Sequence, residues 1–266
     1  MNFHREMLMK RRSAMALALF VLAAAGQTAA WAQTDPKATE QWEPVPKLVV
    51  PGKQDSAPPA DAVVLFNGHD LAQWESSKDH SPARWKVHDS VVTVDKAAGN
   101  IQTKQQFKNY QLHLEWQVPK GITGEGQARG NSGVFLASTG PADEGYEIQI
   151  LDSWKNKTYV NGQAASVYKQ AAPLVNAMRP PGEWQSYDII WTAPVFAADG
   201  TLKSPAYVTL LHNGVLVQNH TQLAGETLYI GKPKYAPYAE AAIKLQAHGD
   251  PSQPISFRNI WVRPLD

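Results

Sequence analysis

The 266-residue chain contains no cysteine. Disulfides, thiolate metal sites and thiol catalysis are excluded at once. An anchor built on a lipidated N-terminal cysteine is excluded too. Long apolar runs are also missing. The run Ala14 to Ala25 falls short of the ~20 residues that a membrane-spanning helix needs. Neither sign of charge dominates, with 25 Lys and Arg against 24 Asp and Glu. No basic stretch interleaves with aromatics, so nucleic acid is not an expected partner. Nor does any long segment beyond the N-terminus carry helical periodicity.

What is present begins with an export pattern. Lys10, Arg11 and Arg12 precede the apolar run, and Ala30-Trp31-Ala32 follows it. Basic residues, an apolar stretch and an A-x-A site in that order describe a secretory signal peptide with cleavage after Ala32. The surroundings of Arg11-Arg12 fit a twin-arginine signal poorly, which favours general secretion. Cleavage removes four basic residues and one acidic residue, leaving 21 against 23. A periplasmic or secreted location is expected, with no membrane insertion afterwards. Residues 33–60 contain Pro36, Pro44, Pro46, Pro51, Pro58 and Pro59. Proline removes a backbone donor and fixes φ, so no regular element should cross this region. Trp42, Val45 and Leu48 to Val50 are too apolar for a solvated tether, so an extended arm lying on the domain is expected.

Residues 61–266 read as one all-β domain. Short alternating or β-branched runs are separated by Gly, Asn, Asp and Pro. Strands are expected over 63–66, 85–94, 110–118, 133–137, 146–151, 185–192, 206–212, 215–219, 241–247 and 255–263. Asn213-Gly214 suits the paired positive φ angles of a type I′ hairpin turn. Many short strands of this kind make a sandwich or jelly roll of antiparallel sheets. Nine Trp residues are present, and Trp116, Trp191 and Trp261 fit core positions.

Three segments hold candidate chemistry. In Tyr146 to Asp152, alternation puts Glu147 and Gln149 on one face, with Tyr146, Ile148 and Ile150 on the other. A bulge near Leu151 would return Asp152 to the polar face. Arg129-Gly130-Asn131-Ser132-Gly133 precedes an apolar strand and brings Asn131 to the same rim. In Ala241 to Gly249, Lys244, Gln246 and His248 share a face opposite Ile243, Leu245 and Ala247. A strand-end histidine suits a general base, a metal ligand or plain surface. Tyr168-Lys169 lies in a loop that can border a cleft. His113 and Glu115 share a face of their strand that reads as solvated.

Taken together, these segments resemble a known family. Val64-Leu65-Phe66-Asn67-Gly68, Asn131-Ser132-Gly133-Val134-Phe135, Tyr146-Glu147-Ile148-Gln149-Ile150-Leu151-Asp152, Pro180-Pro181-Gly182-Glu183-Trp184 and Phe257-Arg258-Asn259-Ile260 follow in order. The chain is similar to the 3-keto-disaccharide hydrolase domain family over about residues 61–265. That resemblance implies a concanavalin A-like jelly-roll sandwich. It implies cleavage of an oxidised glucoside or disaccharide, a 3-keto-glycoside, downstream of a nicotinamide-dependent oxidoreductase. A ketone at C3 acidifies the C2 proton, and the C1 substituent can then leave. The roles implied are base or metal ligand for Glu147 and His248, and second carboxylate for Asp152. Asn131, Gln149 and Gln246 would bind substrate, and Lys169 would offset negative charge. A divalent metal of unknown identity or a preorganised donor would stabilise the enolate. No organic cofactor is expected.

The spacing Glu147-x-Gln149-x-x-Asp152 also resembles the E-x-D-x-x-E strand of laminarinase-type glycosidases. Gln and Asp at its second and third positions argue against a two-carboxylate retaining mechanism. A non-catalytic carbohydrate-binding module and a conventional glycoside hydrolase are the alternative readings.

Overall fold

Side chains that alternate in polarity can bury one face of a strand and leave the other free. In this computed structural model, which describes residues 56–265, those segments pair into sheets. Of the expected signal peptide and arm, only the arm's last residues, 56–60, lie within the described part. In chain order the strands are β1 (Val63–Phe66), β2 (Trp74–Ser76), β3 (Lys86–His88), β4 (Val91–Thr93) and β5 (Ile101–Thr103). Next come β6 (Tyr110–Gln117), β7 (Ser132–Ser138), β8 (Gly145–Ile150), β9 (Trp184–Thr192) and β10 (Val195–Phe196). The last are β11 (Leu202–Ser204), β12 (Tyr207–His212), β13 (Val215–Gln222), β14 (Ala242–Leu245) and β15 (Ser256–Pro264).

Two antiparallel sheets make the sandwich. One runs β13-β12-β9-β6-β15-β4-β3, with β1 added to β15. The other runs β2-β5-β14-β7-β8. The inner faces supply the core. Leu112, Leu114 and Trp116 of β6 and Tyr187, Ile189 and Trp191 of β9 meet Val134, Leu136, Tyr146, Ile148, Ile243 and Leu245 of the second sheet. Burying each such large side chain contributes about 1.5–3 kcal/mol. The Trp116 and Tyr187 rings meet edge-on at 5.4 Å.

Two turns follow from local chemistry. Asn213 and Gly214 adopt φ 54° and 79° between β12 and β13, as the type I′ expectation requires. The expected single strand over 85–94 is a hairpin instead. Asp89 and Ser90 take φ 48° and 61° between β3 and β4. Neither residue is a glycine, so the sequence carries little warning of that turn. Strands β2, β5, β10 and β11 were not expected. Two or three residues are too few for alternation to show.

One face reads differently from expectation. The outer side of β6 at His113 is not solvated, and His113 is 2% exposed. Its Nδ1 lies 2.6 Å from Asp188 Oδ1 on β9, and its ring stacks on Trp261 at 5.3 Å. Glu115 accepts from Arg258 Nε at 2.6 Å and from Asn259 Nδ2 at 2.9 Å. Asn259 Nδ2 and Trp261 Nε1 both donate to Ser56 O. Cross-strand pairs, invisible to alternation within one strand, make this face polar and covered.

Candidate active site

Strands β14, β7 and β8 lie side by side, and their register builds the site. Lys244 pairs with Phe135, and Phe135 with Glu147. One step along, Gln246 N–H bonds Gly133 O at 3.0 Å, and Gly133 pairs with Gln149. Two rows of side chains therefore cross the outer face of the second sheet. Above them opens a cleft of about 560 Å³.

Glu147 stands in that cleft yet is only 5% exposed. Burial, with the negative charge of Asp143 nearby, pushes its pKa up to about 8, against a smaller lowering by Lys244. Gly133 makes room for it. A Cβ at position 133 would sit 2.5 Å from Glu147 Oε1. The Glu147 N–H donates to Thr227 Oγ1 at 3.0 Å, which fastens this residue to the 224–231 loop.

Lys244 is fully buried. Its Nζ donates to the carbonyls of Gly140, Ala142 and Glu144 at 2.8, 2.5 and 2.9 Å. It thereby closes the loop that carries Asp143. Burial holds its pKa down to about 8, although nearby carboxylates raise it.

His248 faces the cleft from the other side. Its Nδ1 lies 3.1 Å from Asp250 Oδ2, and its Nε2 lies 3.5 Å from Asn131 Nδ2. Asn131 orientation follows from its other bonds. Nδ2 donates to Gln127 O at 2.8 Å, and Oδ1 accepts from Gln149 Nε2 at 2.9 Å. An amide N–H pointing at Nε2 requires a lone pair there, so the proton is assigned to Nδ1. The Asp250 N–H, 3.2 Å from Nδ1, favours the opposite tautomer. A lone pair turned on a carboxylate at 3.1 Å is repulsive, so the Nδ1–H form prevails.

Asp250 is itself held. Lys96 Nζ lies 3.1 Å from its Oδ2 and donates to the carbonyls of Asp250 and Ser252 at 2.6 and 2.9 Å. Ser252 Oγ donates to Asp250 Oδ1. Burial would raise the Asp250 pKa, but bonds from His248, Ser252 and Lys96 outweigh it and bring the value down to about 2. The His248 ring is thus oriented by an ionised carboxylate.

The remaining wall comes from the 158–171 segment. It bonds along the free edge of β8 through Gln149 N–H to Ser166 O, and Tyr168 N–H to Glu147 O. Tyr159, Tyr168 and Tyr229 line the cleft there. Lys169 Nζ sits 4.0 Å over the Tyr229 ring and donates to Tyr229 O at 2.6 Å.

Of the residues singled out from sequence, Glu147, Gln149, Asn131, Gln246, His248 and Lys169 line this one cleft. Among the described residues, Gln246 Oε1 is a buried acceptor with no hydrogen-bond partner. Asp152 is not among the lining residues. It is fully buried beyond the end of β8, with Oδ2 2.6 Å from Arg129 Nε and Oδ1 accepting from Trp154 N–H. Burial raises its pKa against these partners. This carboxylate holds the strand end rather than facing the cleft. Sequence reasoning missed Asp250 and Lys96. Asp250 lies two residues past His248, a signal that was available; Lys96 lies in a distant loop and gave none.

Comparison with known proteins now bears on this geometry. A family model described as the 3-keto-alpha-glucoside-1,2-lyase-like domain matches residues 61–263. The chain belongs to that family. A Bacteroides thetaiotaomicron protein called 3-keto-disaccharide hydrolase is 26% identical, over 95% of this chain and 96% of its own. A crystal structure from Parabacteroides distasonis, described as a candidate glycosyl hydrolase, is 52% identical with a TM-score of 0.80. The match covers 87% of this chain and 97% of that one. A second candidate glycosyl hydrolase from the same organism is 21% identical, covers 77% and 94%, and has a TM-score of 0.56, which speaks to the fold alone. Family and relatives together support a carbohydrate hydrolase of glycosidase type.

The metal expectation for this 3-keto-glucoside-lyase-like domain can be tested on its donors. Among the described residues, no group of three or more His, Asp or Glu side chains is placed to hold an ion. Catalytic zinc sites draw on three protein ligands. Glu147 and His248 supply two. As arranged, the described side chains do not form a metal site.

Proposed function

We propose that the protein cleaves the glycosidic bond of 3-keto-glycosides by removing the C2 proton. One observation carries this reading. A histidine oriented by a carboxylate, His248, and a carboxylic acid whose proton is retained by burial, Glu147, line the same cleft. A carboxyl group that keeps its proton beside a histidine held by its own partner supplies an acid and a base.

In the first half-reaction, His248 Nε2 takes the C2 proton. The C–H electron pair becomes the C2=C3 bond, and the carbonyl π pair moves to the C3 oxygen. That pair then returns, C1=C2 forms, and the C1–O bond breaks. Glu147 gives its proton to the departing oxygen, which leaves as an alcohol. In the second half-reaction, the Glu147 carboxylate takes a proton from water as the oxygen adds to C1. The His248 imidazolium then returns a proton to C2. The sum is hydrolysis; stopping halfway leaves the enone. Gln246 and Gln149 are placed to bond sugar hydroxyls. Lys169 is committed to Tyr229, so its part is to fix the cleft wall.

The secretory pattern over Lys10 to Ala32 supports placing this reaction outside the cytoplasm. An oxidoreductase that makes the C3 ketone, using a nicotinamide cofactor, would supply the substrate.

A second reading has its own observation. Asp143 also lines the cleft, and a protonated Glu147 beside another carboxylate suits ordinary acid-assisted glycoside hydrolysis. Deuterium at C2 separates the two. A primary isotope effect on cleavage of a 3-keto-glucoside, with His248→Gln lowering kcat by about 10²–10⁴, supports proton removal. No isotope effect and an indifferent His248→Gln variant would reject it. Turnover unchanged by chelator supports the side-chain mechanism; loss restored by a divalent ion makes Glu147 and His248 ligands instead.

A further inference from the structure

Behind the tyrosine wall lies a second cavity of about 350 Å³. It shares Tyr159, Tyr168, Lys169 and Tyr229 with the main cleft, so the two adjoin across one set of side chains. We propose that this second cavity is the subsite for an apolar, aromatic aglycone. The proposal rests on the 3-keto-glycoside reading of the main cleft.

The argument starts from hydrogen-bonding capacity. The Tyr159 and Tyr168 hydroxyls bond each other at 2.6 Å. Lys169 is taken up by the Tyr229 carbonyl and ring. Gln170 donates to Gly225 O at 3.0 Å and accepts from Ala224 N–H at 2.8 Å. Asn161 also lines the cavity and offers one amide, so a second hexose here would give up hydration at several hydroxyls and regain that partner and few others, which is costly. A flat apolar ring loses nothing of the kind and gains ring faces to stack on.

The rim agrees. Leu228, Tyr229 and Ile230 are 39%, 71% and 82% exposed in succession. Leu228 and Tyr229 line the cavity and Ile230 follows them in the chain, an exposed apolar run that marks a contact surface. The wall is built to stay in place. Gly162 packs against the Tyr159 ring so closely that a Cβ there would meet Cε2 at 2.0 Å.

The test uses leaving groups of matched chemistry, 2-phenylethyl and ethyl 3-keto-glucosides, each as both anomers. Burying the phenyl group should lower KM about ten-fold relative to ethyl. Leu228→Ser should raise KM for the phenylethyl compound about five-fold and leave the ethyl compound unchanged. Equal KM values in the native protein would overturn the subsite. So would a 3-keto-disaccharide with a lower KM than the phenylethyl compound, or a Leu228→Ser effect shared by both substrates. Cleavage of neither compound rejects the reaction, not the subsite, and calorimetry then decides. Tighter binding of unoxidised 2-phenylethyl glucoside than of ethyl glucoside, weakened by Leu228→Ser, upholds the subsite; equal binding overturns it.

Discussion

Glu147 must keep its proton at neutral pH to serve as an acid, and burial arranges this at some cost in stability. Its folded pKa of about 8 stands above the unfolded value of 4.5. The unfolded chain therefore releases a proton that the folded chain retains, and stability declines as pH rises from 4.5 to 8. Glu147→Gln removes that penalty. The variant should lose activity while its Tm at pH 8 rises by roughly 5 °C; a lower Tm in calorimetry would contradict the assignment. In the native enzyme, kcat/KM should fall as pH passes about 8. Gly133 is the complementary test. Gly133→Ala places a methyl 2.5 Å from Glu147 Oε1 and must displace the carboxyl group. Misplacing a catalytic group by about 1 Å can cost about 10²-fold. Steady-state kinetics should show a loss of that order with far-UV circular dichroism unchanged.

At the scale of the element, strand alternation carried most of the site's legibility. Glu147 and Gln149 on β8, and Lys244 on β14 with Gln246 just past its end, were assigned to common faces from spacing alone. They do share those faces, because a period of two admits no other arrangement within a strand. Register between strands was not legible. It decides that Lys244 lies in a row with Phe135 and Glu147, and that His113 meets Asp188. Asp152 illustrates the failure beyond a strand end. The chain leaves β8 after Ile150, and Arg129 draws the carboxylate away from the cleft face. Lys244 ties β14 to the loop at 140–144, and removing it tests that link. Lys244→Met leaves three carbonyls without their donor and should cost roughly 3 kcal/mol in urea unfolding. It also removes a charge that lowers the Glu147 pKa, so the alkaline limb of kcat/KM should move to higher pH. A variant of native stability and native pH profile would rule out both roles.

Across the whole molecule, the sandwich puts chemistry on the outer face of the five-stranded sheet and a charged cluster on the outer face of the other. Antiparallel sandwich architecture was legible from the many short alternating runs, and the loops that wall the cleft were not. Segments 158–171 and 224–231 lack periodicity, and long-range bonds to β8, to each other and to neighbouring loops position them. The charged cluster predicts a pH dependence of its own. Burial alone would lower the His113 pKa, but hydrogen bonds to Asp188 and Glu115 prevail and raise it to about 9. Its stabilising effect is complete below the ordinary histidine value of 6.5 and is lost as pH rises through 9. The native Tm should therefore fall between pH 7 and 9.5 more steeply than that of His113→Asn. The most direct measurement concerns the substrate. Purified protein should be incubated with a 3-keto-glucoside and, separately, with its unoxidised parent, and the released alcohol quantified. Cleavage of the keto compound alone is the expected result. Equal cleavage of the parent glucoside would contradict C2 proton removal and return the protein to ordinary glycoside hydrolysis.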